Sequence, residues 1–391
     1  MPGFARSGVV GWESESVSTW VRSLVTASTG LITSLPAGHP AQHCAPMYDV
    51  TAALAGLPDV FTARTAMAAG VSHHVLRRLV RHEAIIRFQS GVYGQRHACE
   101  PEEERWARIH REHCVHARAA LQAHPDHALS HGTGAVAFGW PVSLHPDEPV
   151  HLTALHVEPR SRRVGRKVLH HSDSIINDMV EVDGLRLLTP DRTVADCLRT
   201  MTPANGVAVA DGALREGATD LVSVKSSLDG MRRWRGRPAA NAALRLVDPR
   251  RETWLESFSF VALHGLGIDL PTPQVEVFGE WGRFVGRVDG MWIADGVVAE
   301  ADGEGKYLLG GPDGGGASDK DAARRVVAEK LREDDLRDLG LEIVRWGAHE
   351  IHRSLELVAR RVHAARARGD ITRFRGRLRV DGQWISPSEH R

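Results

Sequence analysis

FVGRVDGMWIADGVVAEADGEGK, residues 284–306, is the stretch that sorts this chain. Two alternating runs flank Asp295-Gly296, a dipeptide that favours a two-residue primed turn, so the spacing predicts a tight β-hairpin. With Asp295 and Gly296 as the loop residues, Ala294 faces Val297, Met291 faces Glu300 and Asp289 faces Asp302. Side chains alternate along a strand, so Asp289, Glu300 and Asp302 share one face. Val288, Trp292, Ala299 and Ala301 take the other, which gives that face a core to cover. Three carboxylates about 5 Å apart repel by roughly 3 kcal/mol per pair at an effective dielectric near 20. A divalent cation on oxygen ligands would relieve that repulsion and turn the face into a site. An acidic, solvated hairpin edge accounts for the same spacing. A three-residue loop would move Asp289 to the opposite face.

The 391 residues predict two or three domains, each large enough to bury a core. Lys and Arg number 49 and so do Asp and Glu, so the formal net charge is zero. That excludes a wholly basic coat, and any nucleic-acid contact must come from local patches. Cys44, Cys99, Cys114 and Cys197 are scattered without a CxxC pair, which argues against a zinc ribbon or a disulfide framework. A reducing cytoplasm fits best. No apolar run is long enough to span a bilayer, so no membrane partner is expected. Residues 1–46 form an unpatterned extension without the parts of a signal peptide, and patterned sequence follows at once after Met47. Met47 is therefore the expected start.

From Asp49 the pattern turns helical. Asp49 caps a short helix ending near Leu57, Thr62 caps TARTAMAA up to Gly70, and Ser72 caps HHVLRRLVRH. In that last helix Val75, Leu76, Leu79 and Val80 make the buried stripe, and His73, His74, Arg77, Arg78, Arg81 and His82 fall outside. AIIRFQSGVYG then predicts a hairpin bent at Gly91. Helix, helix, basic helix and β-wing over 47–97 is the order of a winged helix-turn-helix that binds double-stranded DNA. The basic helix would enter the major groove, with Arg87 and Arg96 on phosphate. A small bundle with a solvated basic face has the same pattern.

Residues 98–230 predict a middle α+β domain. It opens with a helix over 101–123 carrying acids in its first turn. His110, His113, Cys114 and His116 lie close in that helix, but adjacent His113 and Cys114 cannot share one face with both other histidines, so chance is the better account. Ser130 caps a small-residue helix in LSHGTGAVAFGWPV. Alternating runs between 150 and 188 predict an antiparallel sheet, with a basic loop at 160–167. Helices follow from Pro190 and over 205–216, and MRRWRGRP opens a basic linker, 231–250. The domain 251–352 opens with a helix carrying Glu256, continues with TPQVEVFG and the acidic hairpin, and passes a flexible loop, 310–316. A capping box of Ser318 and Asp321 then starts a long helix that stops at Gly340, before the strand LEIVRW. A basic helix and tail, 353–391, close the chain. The expected fold is α/β and multidomain.

Residues 49–96, LSHGTGAVAFGWPV and DRTVADCLRTMTPANGVAVADGALREG together resemble the AbiEi-type antitoxins of toxin–antitoxin loci: a winged helix-turn-helix followed by an α/β domain. Residues 252–351 resemble the very-short-patch-repair-like branch of the PD-(D/E)xK superfamily, which implies a restriction-endonuclease-like α/β domain. In that resemblance Glu256 matches the helix glutamate, Val288-Asp289 the Pro-Asp, Glu300-Ala301-Asp302 the (D/E)xK and Gln274 the strand glutamine. EKLREDDLRDLG matches the basic helix after the core strands, with Glu329, Lys330 and Arg332 in the recurring places. Asp302 departs from the motif lysine, so the catalytic cation must come from elsewhere, with Lys306 first and Lys330 second. The chemistry implied is Mg²⁺- or Mn²⁺-dependent hydrolysis of DNA phosphodiesters. Asp289, Glu300 and Asp302 are the metal candidates, and Asp289 and Glu300 with the Ala301 carbonyl would suffice for Mg²⁺. The alternative is an antitoxin-like repressor whose nuclease fold does not cut. A third reading makes the C-terminal domain a homodimerisation module that fixes half-site spacing.

Overall fold

The computed structural model describes residues 54, 56–96, 103–173, 175–302 and 319–386, with side chains in the last span from 327 onward. The expected start at Met47, the beginning of the helix from Asp49, Lys306, the 310–316 loop and the Ser318 cap lie outside the described residues. The architecture is mixed α/β, with three sheets among the described residues.

The first sheet belongs to β1 (Val60–Thr62), α1 (Ala63–Ala68), α2 (His73–Arg81), β2 (Ile85–Gln89) and β3 (Val92–Gln95). The expected caps are present: Thr62 Oγ1 accepts the Thr65 N–H at 3.1 Å and Ser72 Oγ accepts the Val75 N–H at 3.4 Å. Gly91, at φ 74°, turns the β2–β3 hairpin, and Leu76 is fully buried beside Val75, Leu79 and Val80. β1 was not expected, because three residues are too few to display a period. It pairs antiparallel with β3 and gives the order β1-β3-β2.

Next come α3 (Arg105–Ala123), β4 (His127–Leu129), α4 (His131–Phe138), β5 (Val150–Ala154), β6 (Arg162–Val164), β7 (Lys167–His170), β8 (Met179–Val182) and β9 (Leu185–Leu188). Helix α3 begins after the acids expected in its first turn, and Glu103 instead reaches forward to Arg111 at 2.8 Å. The six strands run in the order β6-β7-β5-β4-β9-β8. The expected antiparallel sheet is in fact mixed, since β5 with β7 and β4 with β9 are parallel. Alternation reports which face is buried and carries no information on strand direction.

Four helices follow: α5 (Pro190–Thr200), α6 (Pro203–Arg215), α7 (Leu221–Gly230) and α8 (Arg237–Leu244). The expected linker, 231–250, is part of this packed layer. Met231, Ala240 and Ala243 share one core with Val194, Leu198, Val207 and Val224. Trp234 is held as well: Arg192 and Arg199 lie 4.7 and 5.0 Å from its ring centroid. The arginines that made 231–238 look solvated hide small apolar residues that have neighbours to meet.

The rest of the chain is α9 (Trp254–His264), β10 (Thr272–Gly279), β11 (Phe284–Trp292), β12 (Val297–Asp302), α10 (Asp319–Asp338) and β13 (Glu342–Gly347), then α11 (Ala348–Arg353), α12 (Leu355–Arg368), β14 (Gly376–Val380) and β15 (Gln383–Ile385). Up to β13 this is the expected order. The tail expected as a separate segment belongs to the same fold. Val358 and Val362 of α12 pack with Trp346, and β14 extends the sheet to β13-β12-β11-β10-β14-β15. Two cores sandwich this sheet: Leu255, Phe260, Trp292, Ala299 and Ala301 on the α9/α12 side, and Val275, Val288, Met291, Val298 and Leu336 on the α10 side. Val261 of α9 also joins the core of α5–α8, so no break in packing falls at residue 251. No helix among the described residues is long and apolar enough to cross a membrane.

Gly340 ends α10 at φ 93°, and a Cβ there would lie 2.4 Å from the Arg373 carbonyl oxygen. Left-handed strain and overpacking act together, so Gly340→Ala is expected to lose about 2–3 kcal/mol in urea unfolding. A loss under about 0.5 kcal/mol would show that the Arg373 turn yields freely.

Candidate functional site

Glu256 lies in the first turn of α9, where Thr253 is the N-cap and its Oγ1 accepts the Glu256 N–H at 3.2 Å. The Glu256 carboxylate turns back to accept the Glu252 N–H at 2.9 Å and the Gln274 side-chain N–H at 2.8 Å. It is 1% exposed. Burial, reinforced by the charge of Asp289, pushes its carboxyl above the usual range. Gln274 has φ 56°, a left-handed conformation that a non-glycine residue holds only when its surroundings over-determine it. The strain aims its side chain at Glu256.

The acidic hairpin differs from expectation in its turn, and its faces agree except at Val288. Ile293–Asp295 form a 3-10 turn and Gly296 closes it in the left-handed region, so the connection is four residues, not two. Trp292 therefore faces Val297, Met291 faces Val298 and Gly290 faces Ala299. Lengthening a loop by two residues preserves parity, and the register, continued, sets Asp289 opposite Glu300. The β11–β12 ladder ends at the Gly290–Ala299 pair. Beyond it the Asp289 carboxylate accepts the Ala301 N–H at 2.8 Å. The strand also turns over at Asp289. Gly286 and Val288 lie toward α10, with the Arg332 side chain against Gly286, whereas Gly290 and Trp292 lie toward Phe260 of α9. Val288 is thus not on the face expected for it, because the kink at Asp289 interrupts the alternation.

Glu300 is 4% exposed, in a strand flanked on both sides, so the hairpin is no solvated edge. Burial and Asp289 push its carboxyl up to about 7, although Arg332 pulls the other way. Both terminal nitrogens of Arg332 lie 3.2 Å from Glu300 Oε1. Arg332 also pairs with Glu329 at 2.7 Å, Glu329 with Arg345 at 2.8 Å, and Arg345 with Asp302 at 3.1 Å. Acid and base alternate along this chain of five residues. Asp302 is thereby turned to Arg345 on the parallel neighbour β13, and it does not converge with Asp289 and Glu300 as a third ligand. The cation on Glu300 is Arg332, while Lys330 is exposed two residues earlier in α10. Nothing local in the sequence separates Arg332 from the other bases of α10. Only the pairing of β12 with β13, and the helix above them, selects it.

The residues expected to meet DNA are all exposed: His73, His74, Arg77, Arg78 and Arg81 on α2, and Arg87 on β2. Arg96 lies 3.4 Å from Glu83. In α3 the suspected histidines go separate ways: His110 to the Val142 carbonyl, His113 to Thr133 Oγ1, and His116 against the Phe88 ring. Among the described residues, the trio whose ligand atoms do all lie within 4.8 Å of one another is His131, His151 and His170. Sequence reasoning missed it, because the three sit on separate elements with no recurring spacing.

A scan against protein-family models finds no match for this chain, and a search of curated proteins finds none either.

Proposed function

We propose that this chain binds double-stranded DNA through a winged helix-turn-helix over residues 60–96 and hydrolyses DNA phosphodiesters at Glu256, Asp289 and Glu300. The observation that carries the reading is the gathering of those carboxylates with Gln274 at a kinked strand, where the β11–β12 ladder gives way. These buried acids, with Glu300 lifted to about 7 by burial first and by the charge of Asp289 second, form a hard-oxygen donor set, and Mg²⁺ or Mn²⁺ fits it. When bound, the ion would polarise the scissile phosphate and lower the pKa of an attacking water. Asp289 and Glu300 would hold it. Glu256, kept in place by Gln274 and the Glu252 N–H, would receive a proton from water, its raised pKa suiting it to that task. Arg332 would pass from Glu300 to the phosphate and offset developing negative charge. In this proposal Arg332 takes the role expected of Lys330. Arg77, Arg78 and Arg81, with His73 and His74, supply the exposed face of α2 for the major groove, and Arg87 supplies the wing contact.

This reading follows the sequence resemblance to an AbiEi-type antitoxin joined to a very-short-patch-repair-like endonuclease domain, and we propose with it a cytoplasmic toxin–antitoxin or defence locus as the setting. A second reading rests on the Asp302–Arg345 pair, which fills the place of the motif lysine with an internal ion pair. In that reading the fold is a repressor that binds without cutting.

Purified protein incubated with plasmid DNA and Mg²⁺ or Mn²⁺ separates the two. Metal-dependent nicking is expected, reduced at least about 100-fold in both Asp289→Ala and Glu300→Ala. Plasmid binding without cleavage, equal in all three proteins, would remove the enzyme and leave the repressor.

A further inference from the structure

We propose that His131, His151 and His170 bind one divalent transition-metal ion of the zinc class, at a site separate from the carboxylates of the nuclease reading and independent of it. His131 opens α4, and His151 and His170 lie on the parallel strands β5 and β7. His151 faces Val168 and Thr153 faces His170, which brings the two imidazoles side by side. His151 Nδ1 and His170 Nε2 are 2.8 Å apart, and the His131 ring stacks on His170 with centroids 3.7 Å apart. Ligand nitrogens about 2.0–2.1 Å from a tetrahedral ion are about 3.4 Å from one another. The 2.8 Å pair must open slightly and the third nitrogen, within 4.8 Å, must approach. The rings lie stacked within 14–29° of parallel, so binding turns them out of the stack until their in-plane lone pairs meet at one ion.

A hydrogen-bonded histidine cluster is the ordinary alternative, and the surroundings fit it less well. His151 Nδ1 and His170 Nε2 face each other at 2.8 Å with room for one proton between them, and the carboxylate beside them is the partly exposed Glu148, whose oxygen stands 3.8 Å from His151 Nε2. The outer contacts are those that orient metal ligands. Ser130 Oγ lies 2.9 Å from His131 Nδ1 and receives the Thr153 hydroxyl at 2.8 Å, which leaves His131 Nε2 as the ligand nitrogen. His131 also holds φ 52°, in the left-handed region that histidine enters more readily than most side chains. Arg199 lies 3.4 Å from His131 Nε2, and Asp196 lies 3.8 Å from it. Arg199 and Arg192 both pair with Asp196, at 2.7 and 3.0 Å. An arriving cation therefore meets a guanidinium already engaged by a carboxylate, and only the long Arg199–His131 contact is given up. His131 is 2% exposed and the His151 side chain 19%, so the ion enters from the His151 edge.

Three imidazoles select Zn²⁺, Co²⁺, Ni²⁺ or Cu²⁺ over Mg²⁺ and leave a fourth position for water or another oxygen ligand. The test is a titration of the chelator-stripped full chain with Co²⁺, followed by the visible absorption of tetrahedral cobalt. One equivalent per chain is expected, lost in His151→Ala and His170→Ala. It should be kept in Glu300→Gln, and in His73→Ala with His74→Ala, which lie on the exposed face of α2. Ser130→Ala, which removes only an orienting contact, should weaken binding about 10- to 100-fold. Circular dichroism verifies that each variant is folded. If a histidine-to-alanine variant fails to fold, His151→Gln replaces it at the partly exposed edge. Absence of the one-equivalent band in the wild type would overturn the site. Weak multi-equivalent binding unchanged in the folded variants would also overturn it, assigning the metal to surface histidines. Because Glu300→Gln keeps the cobalt band while losing nicking, failure of one site is not mistaken for failure of the other.

Discussion

Asp211→Ala is expected to lower stability by about 3–5 kcal/mol, the range for leaving one partner of a buried ion pair alone. Asp211 of α6 is fully buried and accepts from Arg251 Nη1 at 2.9 Å and from the Asp248 N–H at 2.7 Å. Arg251 is 2% exposed, and its other terminal nitrogen donates to the Leu246 carbonyl at 3.0 Å. Burial pushes the Asp211 carboxyl up to about 6 even though Arg251 pulls it down, so desolvation outweighs attraction and the pair as a whole contributes little. Its removal in halves is another matter. Alanine at 211 leaves a buried guanidinium without its hydrogen-bonded carboxylate, with only the more distant, Arg250-paired Asp248 as counter-charge, and Arg251 Nε already lacks a hydrogen-bond partner. Urea unfolding of Asp211→Ala at pH 8 measures the loss, and the double variant Asp211→Leu with Arg251→Met should recover most of it. A single variant within 1 kcal/mol of wild type would mean that the Arg251 side chain finds water, and that α6 is not clamped to the segment leading into α9.

Glu300→Gln is expected to abolish metal-dependent nicking and, at pH 8, to raise stability by about 3 kcal/mol. The folded pKa, about 7, is raised above the ordinary 4.5. Between those values the folded chain holds a proton that the unfolded chain has released. The wild type therefore loses stability as pH rises from about 4.5 to about 7, and carries the full penalty above that window. Glutamine keeps the shape, cannot ionise, and removes the slope. Arg332 retains Glu329 as a partner in the variant. Mg²⁺ should raise the melting temperature of the wild type above pH 7, where the Glu300 carboxylate is free of its proton, and leave the variant unmoved. Equal slopes of stability against pH in the two proteins would remove the raised pKa. Equal melting responses to Mg²⁺ would remove Glu300 as a ligand.

These two residues also mark where reading from sequence succeeds and where it fails. The shared face of Asp289 and Glu300 across the hairpin was legible because strand parity is local, and it survived an error of two residues in the loop, whereas Asp302 turns away to Arg345. Caps at Thr62 and Ser72 were legible for the same reason, since donor and acceptor are three residues apart. Asp211 gave no signal, because its partner is Arg251, forty positions away, in a segment expected to link domains.

What the sequence by itself determined is the order and type of the elements around the acidic hairpin, the basic helix and the hairpin after it, and the face of β12 on which Glu300 lies. All rest on periodicity and on contacts within a few residues. The tertiary structure decided which charges meet: Arg332 on Glu300, Arg345 on Asp302, and three histidines from α4, β5 and β7 at one point. It also decided that 231–250 packs as core and that the tail completes a sheet. Ion pairs and metal ligands are chosen by strand pairing and helix packing across the chain, and the free energy of those long-range contacts has no period for a sequence to display.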